Sequence, residues 1–335
     1  MYENYYGLSA KPFQLRPDPH FFYGSQGHKR AMSYLDYGLA QGEGFIVITG
    51  EIGAGKTTLV RSMLERLPAD KIVVAQLTNT YLNTEDTLRM VLASFGQPAE
   101  QGNKSALLLR LEQFLHQCER EGKRALLVVD EAQNLTPHTV EELRMLSNFH
   151  SRDQCLLQTF LLGQPEFRNV LHSPELRQLR QRVIATYHLG PLTAPESRAY
   201  IEHRLRTVNW RGAPRFTDAA HAAIYDYAGG IPRTTNHLCD RLMLMGYLEQ
   251  LTTFHGSDVE ATIRDIRAEG ALAPSDEGIQ APAEGVPSAS QAGGDAFASV
   301  DERLLRVERS VLSVLQVLKK IVAAPSTLNN LDHIE

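Results

Sequence analysis

Hydrophobic and polar positions divide the chain up to residue 268 into two regions of different period. Up to about residue 190, short apolar runs rich in β-branched residues alternate with longer helical stretches, as in parallel strands joined by crossover helices. Several runs are apolar without interruption, which indicates a sheet covered on both faces. The predicted strands are Phe45 to Thr49, Ile72 to Leu77, Ala125 to Val129, Leu156 to Gly163 and Val183 to Leu189.

Residues 191–268 have a purely helical pattern in which capping residues mark the helix ends. Thr193-Ala-Pro-Glu196 is a capping box with proline in the first turn, so a helix is expected to begin there. The other boundaries are indicated by Thr217, Gly229-Gly230, Pro232 and a second capping box, Ser257-Asp-Val-Glu260. We therefore predict an α/β domain over residues 1–190 and a four-helix lid over residues 191–268.

Beyond residue 268 the sequence has two further patterns. Residues 269–298 are rich in Ala, Gly, Pro and Ser and hold five acidic but no basic side chains, which predicts a flexible acidic linker. In residues 299–324 the apolar positions step alternately by four and three, which predicts an amphipathic helix. This helix either forms a coiled coil or packs against the rest of the protein or a partner. Its apolar positions are Val300, Leu304, Val307, Val311, Val314, Leu318 and Ile321.

The composition disfavours several classes of protein. The 335 residues carry 34 basic and 39 acidic side chains, a formal charge of -5, so a globally basic nucleic-acid binder is disfavoured. The three cysteines are widely spaced, which indicates neither a disulfide framework nor a zinc site. No apolar run approaches the ~18 residues of a membrane span, and the N-terminus does not resemble a signal peptide. We expect a cytoplasmic protein, or one held at the inner membrane through partners.

The residues after the first predicted strand match the pattern GxxxxGK[ST]. Glycines there let the backbone wrap around phosphates, and successive N–H groups at the start of the next helix point at negative charge. Lys56 is expected to reach the terminal phosphates, and Thr57 to offer its hydroxyl to Mg²⁺. The predicted binding residues are Gly50, Glu51, Ile52, Gly53, Ala54, Gly55, Lys56, Thr57 and Thr58.

The third predicted strand ends in two adjacent carboxylates, Asp130 and Glu131. The carboxyl end of a parallel strand faces the ligand crevice, so Asp130 is expected to support Mg²⁺ and Glu131 to polarise an attacking water. Together with the phosphate-binding pattern, the glutamate predicts hydrolysis of a nucleoside triphosphate.

Three further positions are candidates for contact with the γ-phosphate. Gln164 ends the fourth strand and either holds the water or phosphate or is a plain turn residue. Arg177, Arg180 and Arg182 lie before the fifth strand, where one arginine is expected to reach a neighbouring subunit's nucleotide. Arg182 is the first choice and Arg180 the second. Arg233 lies in the first turn of a lid helix, where the helix dipole disfavours a cation unless an anion is near.

Further motifs occur at the N-terminus and in the lid: Tyr5-Tyr-Gly-Leu8, Lys11-Pro-Phe13, Pro17-Asp-Pro19, Phe22-Tyr23 and Gly229-Gly-Ile-Pro-Arg233. Taken together, the motifs of this chain resemble AAA+ ATPases, and the N-terminus resembles the ExeA/GspA family of general secretion pathway ATPases. Within that family the phosphate-binding and lid sequences look similar to the ATPase of exosortase (PEP-CTERM) and exopolysaccharide loci. The resemblance covers residues 1 to about 268.

The resemblance implies a three-layer α/β/α domain with a five-stranded parallel sheet of order 5-1-4-3-2. It also implies ATP as substrate, Mg²⁺ as cofactor, and a ring or filament with sites at subunit boundaries. Tyr23 and His28 are implied to border the adenine. The secretion-pathway members carry a membrane span and a periplasmic region after the ATPase part, whereas here the linker and heptad pattern follow.

The sequence therefore predicts an ATPase that couples turnover to assembly or remodelling in envelope export, with inner-membrane export or polysaccharide-synthesis components as partners. One alternative is a DNA-dependent regulator of transposition or replication-loader type, because five arginines lie near Trp210 in the lid. They are Arg198, Arg204, Arg206, Arg211 and Arg215. Another alternative is a nucleotide-gated scaffold with negligible turnover.

Overall fold

The structure is a computed structural model that describes residues 1–78, 83–99, 102–151 and 154–272. The predicted heptad helix, and the predicted linker from residue 273 onward, lie outside the described residues. Within the described ranges no helix is both long enough and apolar enough to cross a membrane.

In the described part of the chain, five parallel strands form one sheet in the order β2-β3-β6-β1-β7. In chain order the strands are β1 (Phe45–Gly50), β2 (Ile72–Leu77), β3 (Arg124–Val129), β4 (His150–Ser151), β5 (Gln154–Cys155), β6 (Leu157–Gly163), β7 (Val183–Leu189), β8 (Arg215–Phe216) and β9 (Thr253–Phe254). β4 pairs with β5 and β8 with β9 as short ribbons. The predicted order 5-1-4-3-2 is confirmed, since β6 and β7 are the fourth and fifth strands of this sheet.

The helices of the described residues occur before, between and after these strands. In chain order they are α1 (Tyr2–Tyr6), α2 (Gln26–Gln41), α3 (Lys56–Leu64), α4 (Thr84–Ser94), α5 (Lys104–Arg120), α6 (Pro137–Leu146), α7 (Phe167–His172), α8 (Arg177–Arg182), α9 (Ala194–Thr207), α10 (Asp218–Ala228), α11 (Pro232–Leu248) and α12 (Gly256–Leu272). Short 3-10 turns occur at Pro19–Phe21, Ala132–Asn134 and Pro174–Leu176.

The sheet lies between two layers of helices because alternate residues of each strand point to opposite faces. In β1, Phe45 and Val47 join a core with α4, α5 and α6. Ile46 and Ile48 join a second core with α2 and α3. The predicted three-layer α/β/α class is therefore confirmed.

A third core joins residues 1–25, called the N-terminal segment here, to helices α9 to α12, called the lid. Tyr2, Tyr6 and Phe13 are buried in one cluster with lid residues such as Leu205 and Leu242. The Tyr6 hydroxyl donates to the Leu251 carbonyl at 3.0 Å. The N-terminal segment therefore packs with the lid, although the predicted boundaries assigned it to the α/β domain.

Two helix ends in the lid test the capping predictions. The capping box at Thr193 is confirmed, since the Glu196 carboxylate accepts the Thr193 backbone N–H at 3.0 Å. The second box, starting at Ser257, is wrong: α12 begins at Gly256, because the Asp258 carboxylate accepts the N–H of His255 at 2.7 Å.

The end of α12 lies further along the chain than the predicted linker boundary at residue 269. The helix continues to Leu272. Glu269 pairs with Arg241 at 2.7 Å, and this ion pair connects the last turn of α12 to α11.

Candidate nucleotide-binding site

The phosphate loop, residues 50–57, connects β1 to α3 and depends on two glycines with positive φ. Gly53 has φ 82° and Gly55 has φ 100°. A Cβ on Gly53 would overlap the side chain of Arg233, and one on Gly55 would lie 2.8 Å from His28 Nε2. Glycine is therefore required at both positions for conformation and for space. The loop is packed directly between α2 and the lid.

Lys56 begins α3 and is buried, with 7% of its surface exposed. Its Nζ donates to the backbone carbonyls of Gly50 at 2.7 Å and Glu51 at 3.0 Å. Burial lowers the pKa of the Lys56 ammonium, and the nearby carboxylates of Glu131 and Asp130 act in the opposite direction. The Lys56 ammonium group is thus held at the mouth of the loop by two backbone carbonyls.

Thr57 and Asp130 bring two side-chain oxygen atoms together from different elements. The Thr57 hydroxyl donates to Asp130 Oδ2 at 2.7 Å. Mg²⁺ prefers such hard oxygens and usually takes one or two protein ligands, completing its shell with water and substrate phosphates. No group of three His, Cys, Asp or Glu in the described residues could form a metal cage. The pair therefore fits a phosphate-bound Mg²⁺.

Glu131 directly follows Asp130 and has an unusual backbone conformation, with φ 54°. Gln133 Nε2 donates to Glu131 Oε2 at 2.6 Å, and Gln164 Nε2 lies 3.3 Å from the same oxygen. The Gln164 backbone N–H also donates to Gln133 Oε1 at 3.0 Å. The structure thus brings Gln164, Glu131 and Gln133 together, and no sequence motif indicates Gln133.

Arg233 lies at the start of α11, where the lid contacts the phosphate loop. Its backbone N–H donates to the Gly53 carbonyl at 3.2 Å. Its side chain is exposed and lines the same cleft as Lys56, Thr57 and Glu131. An anion in that cleft would meet Lys56 and Arg233 together.

The three arginines before β7 have different surroundings. Arg182 donates to the carbonyl and hydroxyl oxygens of Ser147 at 3.0 and 2.7 Å, and Arg180 donates to the carbonyls of Leu171 and Ser173. The Arg177 side chain is exposed and makes no hydrogen bond or ion pair to any described residue, while its backbone N–H donates to the Pro174 carbonyl. None of the three lines the cleft of its own subunit.

The cleft extends from the phosphate loop to a second end, formed by the N-terminal segment and the lid. Tyr23 and His28, implied to border the adenine, both line it, together with Tyr200 and Asn236 of the lid. His28 Nδ1 lies 2.7 Å from the Ser25 hydroxyl. Burial lowers the pKa of His28 to about 4, so the ring stays neutral at physiological pH.

The lid arginines do not form one basic surface. Arg198 pairs with Glu202 and Asp218, and Arg206 also pairs with Glu202. Arg204 is buried, with 6% of its surface exposed. The Trp210 indole packs against the lid core and donates to the Pro214 carbonyl at 3.0 Å.

The sheet order and the phosphate loop define the P-loop AAA fold, and residues 39–171 match the family described as AAA domain. The chain is similar to General secretion pathway protein A of Aeromonas hydrophila, at 39% identity over 248 residues. This match covers 74% of the chain and 45% of that relative, so the chain spans less than half of the relative's length.

Solved structures support the same fold. The Aeropyrum pernix ORC2 protein, in ADPNP-ADP complexes, superposes with a TM-score of 0.56 at 17% identity, covering 75% of this chain and 70% of that one. Cdc6p from Pyrobaculum aerophilum gives 0.57 at 17% identity, covering 71% and 67%. The RuvB Holliday junction branch migration motor of Thermotoga maritima gives 0.50 at 21% identity, covering 73% and 70%.

Proposed function

We propose that the protein binds ATP with Mg²⁺ and hydrolyses it to ADP and phosphate. The observation that carries this proposal is the cleft in which Lys56, Glu131 and Arg233 meet, with the Thr57–Asp130 pair beside it. The related ORC2 structure holds ADPNP and ADP, which supports a nucleotide as the ligand of this fold.

Each residue has one part in this reaction. Lys56 and Arg233 neutralise the terminal phosphates, and Thr57 and Asp130 would hold Mg²⁺, which supplies further neutralisation of the phosphate charge. Glu131 orients and polarises the attacking water, with Gln164 beside it. The backbone N–H groups of the phosphate loop complete the binding of the triphosphate.

An arginine of a neighbouring subunit is proposed to complete the site. Arg182 remains the first choice, and its bonds to Ser147 either aim it at the neighbour or have to be released on assembly. Mixing a Lys56→Ala protein with an arginine variant tests this role, because one mixed boundary then contains both an intact loop and an intact arginine. If Arg182 is that arginine, Arg182→Ala should be inactive alone and regain ATPase activity on mixing, whereas Arg180→Ala and Arg177→Ala should be active without mixing. Recovery with Arg177→Ala alone would move the role to that exposed residue.

The biological process proposed is envelope export, of proteins or exopolysaccharide, in which turnover drives assembly or remodelling of inner-membrane components. The 39% identity to General secretion pathway protein A supports this process. The finer assignment to an exosortase-associated ATPase rests on the motifs of the phosphate loop and lid. A DNA-dependent role is disfavoured, because two of the five lid arginines are paired with carboxylates and Arg204 is buried.

Titration of the full chain with ATP and Mg²⁺, followed by a steady-state phosphate-release assay, tests the proposed reaction. We expect Lys56→Ala to weaken ATP binding by ~100-fold or more, and Glu131→Gln to keep binding while losing turnover. Undiminished affinity in Lys56→Ala, or unchanged turnover in Glu131→Gln, contradicts the assigned roles. Binding without any turnover in the wild-type protein would favour the nucleotide-gated scaffold.

A further inference from the structure

A buried hydrogen-bond network connects the N-terminal segment, through the lid, to the second end of the cleft. Arg204 Nη1 donates to the Tyr200 hydroxyl at 3.2 Å, and that hydroxyl lies 2.9 Å from Asn236 Oδ1. Arg204, Tyr200 and Asn236 are each only 6% exposed, and all three line the cleft. The hydrogen-bond network therefore links the Arg204 guanidinium to the Asn236 amide at the wall of the nucleotide cleft.

The direction of the hydrogen bonds in this network follows from Arg204. A guanidinium can only donate, so the Tyr200 oxygen accepts from Arg204 and its one proton goes to the Asn236 carbonyl. Burial raises the pKa of the Tyr200 hydroxyl, which keeps that proton in place. The two ends of a side-chain amide have nearly the same shape, and here the hydrogen bonds alone decide between them. The Asn236 oxygen thus faces Tyr200.

Arg204 is itself held in place without a carboxylate. Within the described residues it makes no ion pair; it donates instead to the backbone carbonyls of Pro12 and Gln14, and its guanidinium lies 4.5 Å from the centre of the Phe21 ring. The hydrogen-bond network is therefore anchored at the N-terminal segment. At its other end, Asn236 Nδ2 makes no hydrogen bond to any described residue.

We infer that the Asn236 amide reads the base of the nucleotide, donating from Nδ2 to an acceptor nitrogen on the ring edge of adenine. The inference rests on the proposed binding of ATP. Adenine presents an unprotonated N1 on that edge, whereas guanine and hypoxanthine carry hydrogen on N1 and would oppose the donor. Asn236 is thus the specificity-determining residue, and Tyr200 and Arg204 are positioning residues that keep its donor toward the base.

Competition binding with three probes, each with Mg²⁺, tests the inference: ATP, inosine triphosphate, and inorganic tripolyphosphate, which has no base. We expect the wild-type protein to prefer ATP over inosine triphosphate by ~10-fold or more. Asn236→Asp replaces the donor by an acceptor and should lower this ratio by ~10-fold, with tripolyphosphate affinity unchanged. Tyr200→Phe keeps the ring but frees the amide to turn, and should lower the ratio by roughly 3-fold.

The matched control is Asn209→Asp, the same substitution at an exposed lid residue whose φ of 62° aspartate also tolerates. It should leave all three affinities unchanged. An Asn236→Asp protein that keeps the wild-type ratio overturns the inference, as does one that loses all three probes by the same factor. Should that variant fail to fold, the Tyr200→Phe ratio decides alone. A wild-type protein that binds tripolyphosphate without base preference contradicts only this inference, whereas one that binds no probe contradicts the proposed function too.

Discussion

The two ends of the nucleotide cleft are built in different ways. At the phosphate end, Lys56 donates hydrogen bonds to the carbonyls of Glu51 and Gly50, five and six positions earlier in the chain. Glu131 accepts a hydrogen bond from Gln133, two positions later. At the base end, Arg204 bonds to the carbonyls of Pro12 and Gln14, which lie 192 and 190 positions earlier. These contacts of Lys56 and Glu131 are therefore local in sequence, whereas the proposed recognition of the base depends on the docking of the N-terminal segment on the lid.

This difference predicts that the base end carries more of the folding energy. Arg204 lies beside the core that holds Tyr2, Tyr6 and Phe13 and contacts the Phe21 ring of that core, so a change there disturbs packing as well as ligand contact. The phosphate loop is instead a short turn in which Ile52, Lys56 and Thr57 line the cleft. The variants that follow separate the two ends, because each has a readout that the other end should not change.

Replacing Arg204 by Met should give the largest loss of stability. The apolar side chain fills much of the space but leaves the carbonyls of Pro12 and Gln14 without their donor, so the free energy of unfolding should fall by roughly 2–4 kcal/mol. Urea denaturation measures this loss. The control is Arg206→Met, an exposed arginine of the same helix paired with Glu202, for which the loss should stay below ~0.5 kcal/mol. Equal losses in the two variants would show that Arg204 does not anchor the N-terminal segment.

The free energy of unfolding should depend on pH through His28. Its pKa is about 4 in the folded protein and 6.5 for the free side chain, so between these values only the unfolded chain takes up this proton. The stability that neutral His28 contributes is present above pH 6.5 and is lost as pH falls toward 4. Between pH 7.5 and 5 the loss from this residue should be about 2 kcal/mol.

Urea denaturation at several pH values, for the wild-type protein and His28→Gln, measures the contribution of His28. Burial also lowers the pKa of His203 and His221, which add to the slope in both proteins. The difference between the two curves therefore belongs to His28. Curves that stay parallel from pH 7.5 to 5 would remove His28 as the buried neutral group behind the phosphate loop.

The sheet and the phosphate end could be predicted because their signals are local. The apolar runs locate all five strands to within one position at each end, and the motif pairs Thr57 with Asp130 across the sheet edge. Arg204 could not be placed by composition, since five lid arginines look alike in a charge count. Its spacing is informative in retrospect: Tyr200, Ile201, Arg204 and Leu205 follow the buried face of α9. The contacts of Arg204 with the N-terminal segment have no such signal.

Gln133 is the residue at the phosphate end that the motif analysis missed, because a single amide after the Asp-Glu pair has no periodic pattern. Its Nε2 donates to the Glu131 carboxylate at 2.6 Å. Gln133 should therefore orient Glu131, the residue proposed to polarise the attacking water, without touching the phosphates. We expect Gln133→Leu to lower kcat for ATP by ~10-fold with KM within ~2-fold. The control is Gln113→Leu on α5, an exposed glutamine remote from the motif, which should change neither constant.

A double-mutant cycle decides whether Gln133 acts through Glu131. With Glu131→Gln the carboxylate is gone, so adding Gln133→Leu should cost little further turnover, and the two effects should be far from additive. The coupling of about 1 kcal/mol expected here is the smallest effect predicted, and single-turnover rates are needed to resolve it. A full ~10-fold loss in the Glu131→Gln background would mean that Gln133 acts independently of Glu131. The 3.0 Å bond from the Gln164 backbone N–H to Gln133 would then indicate that Gln133 works by fixing the end of β6.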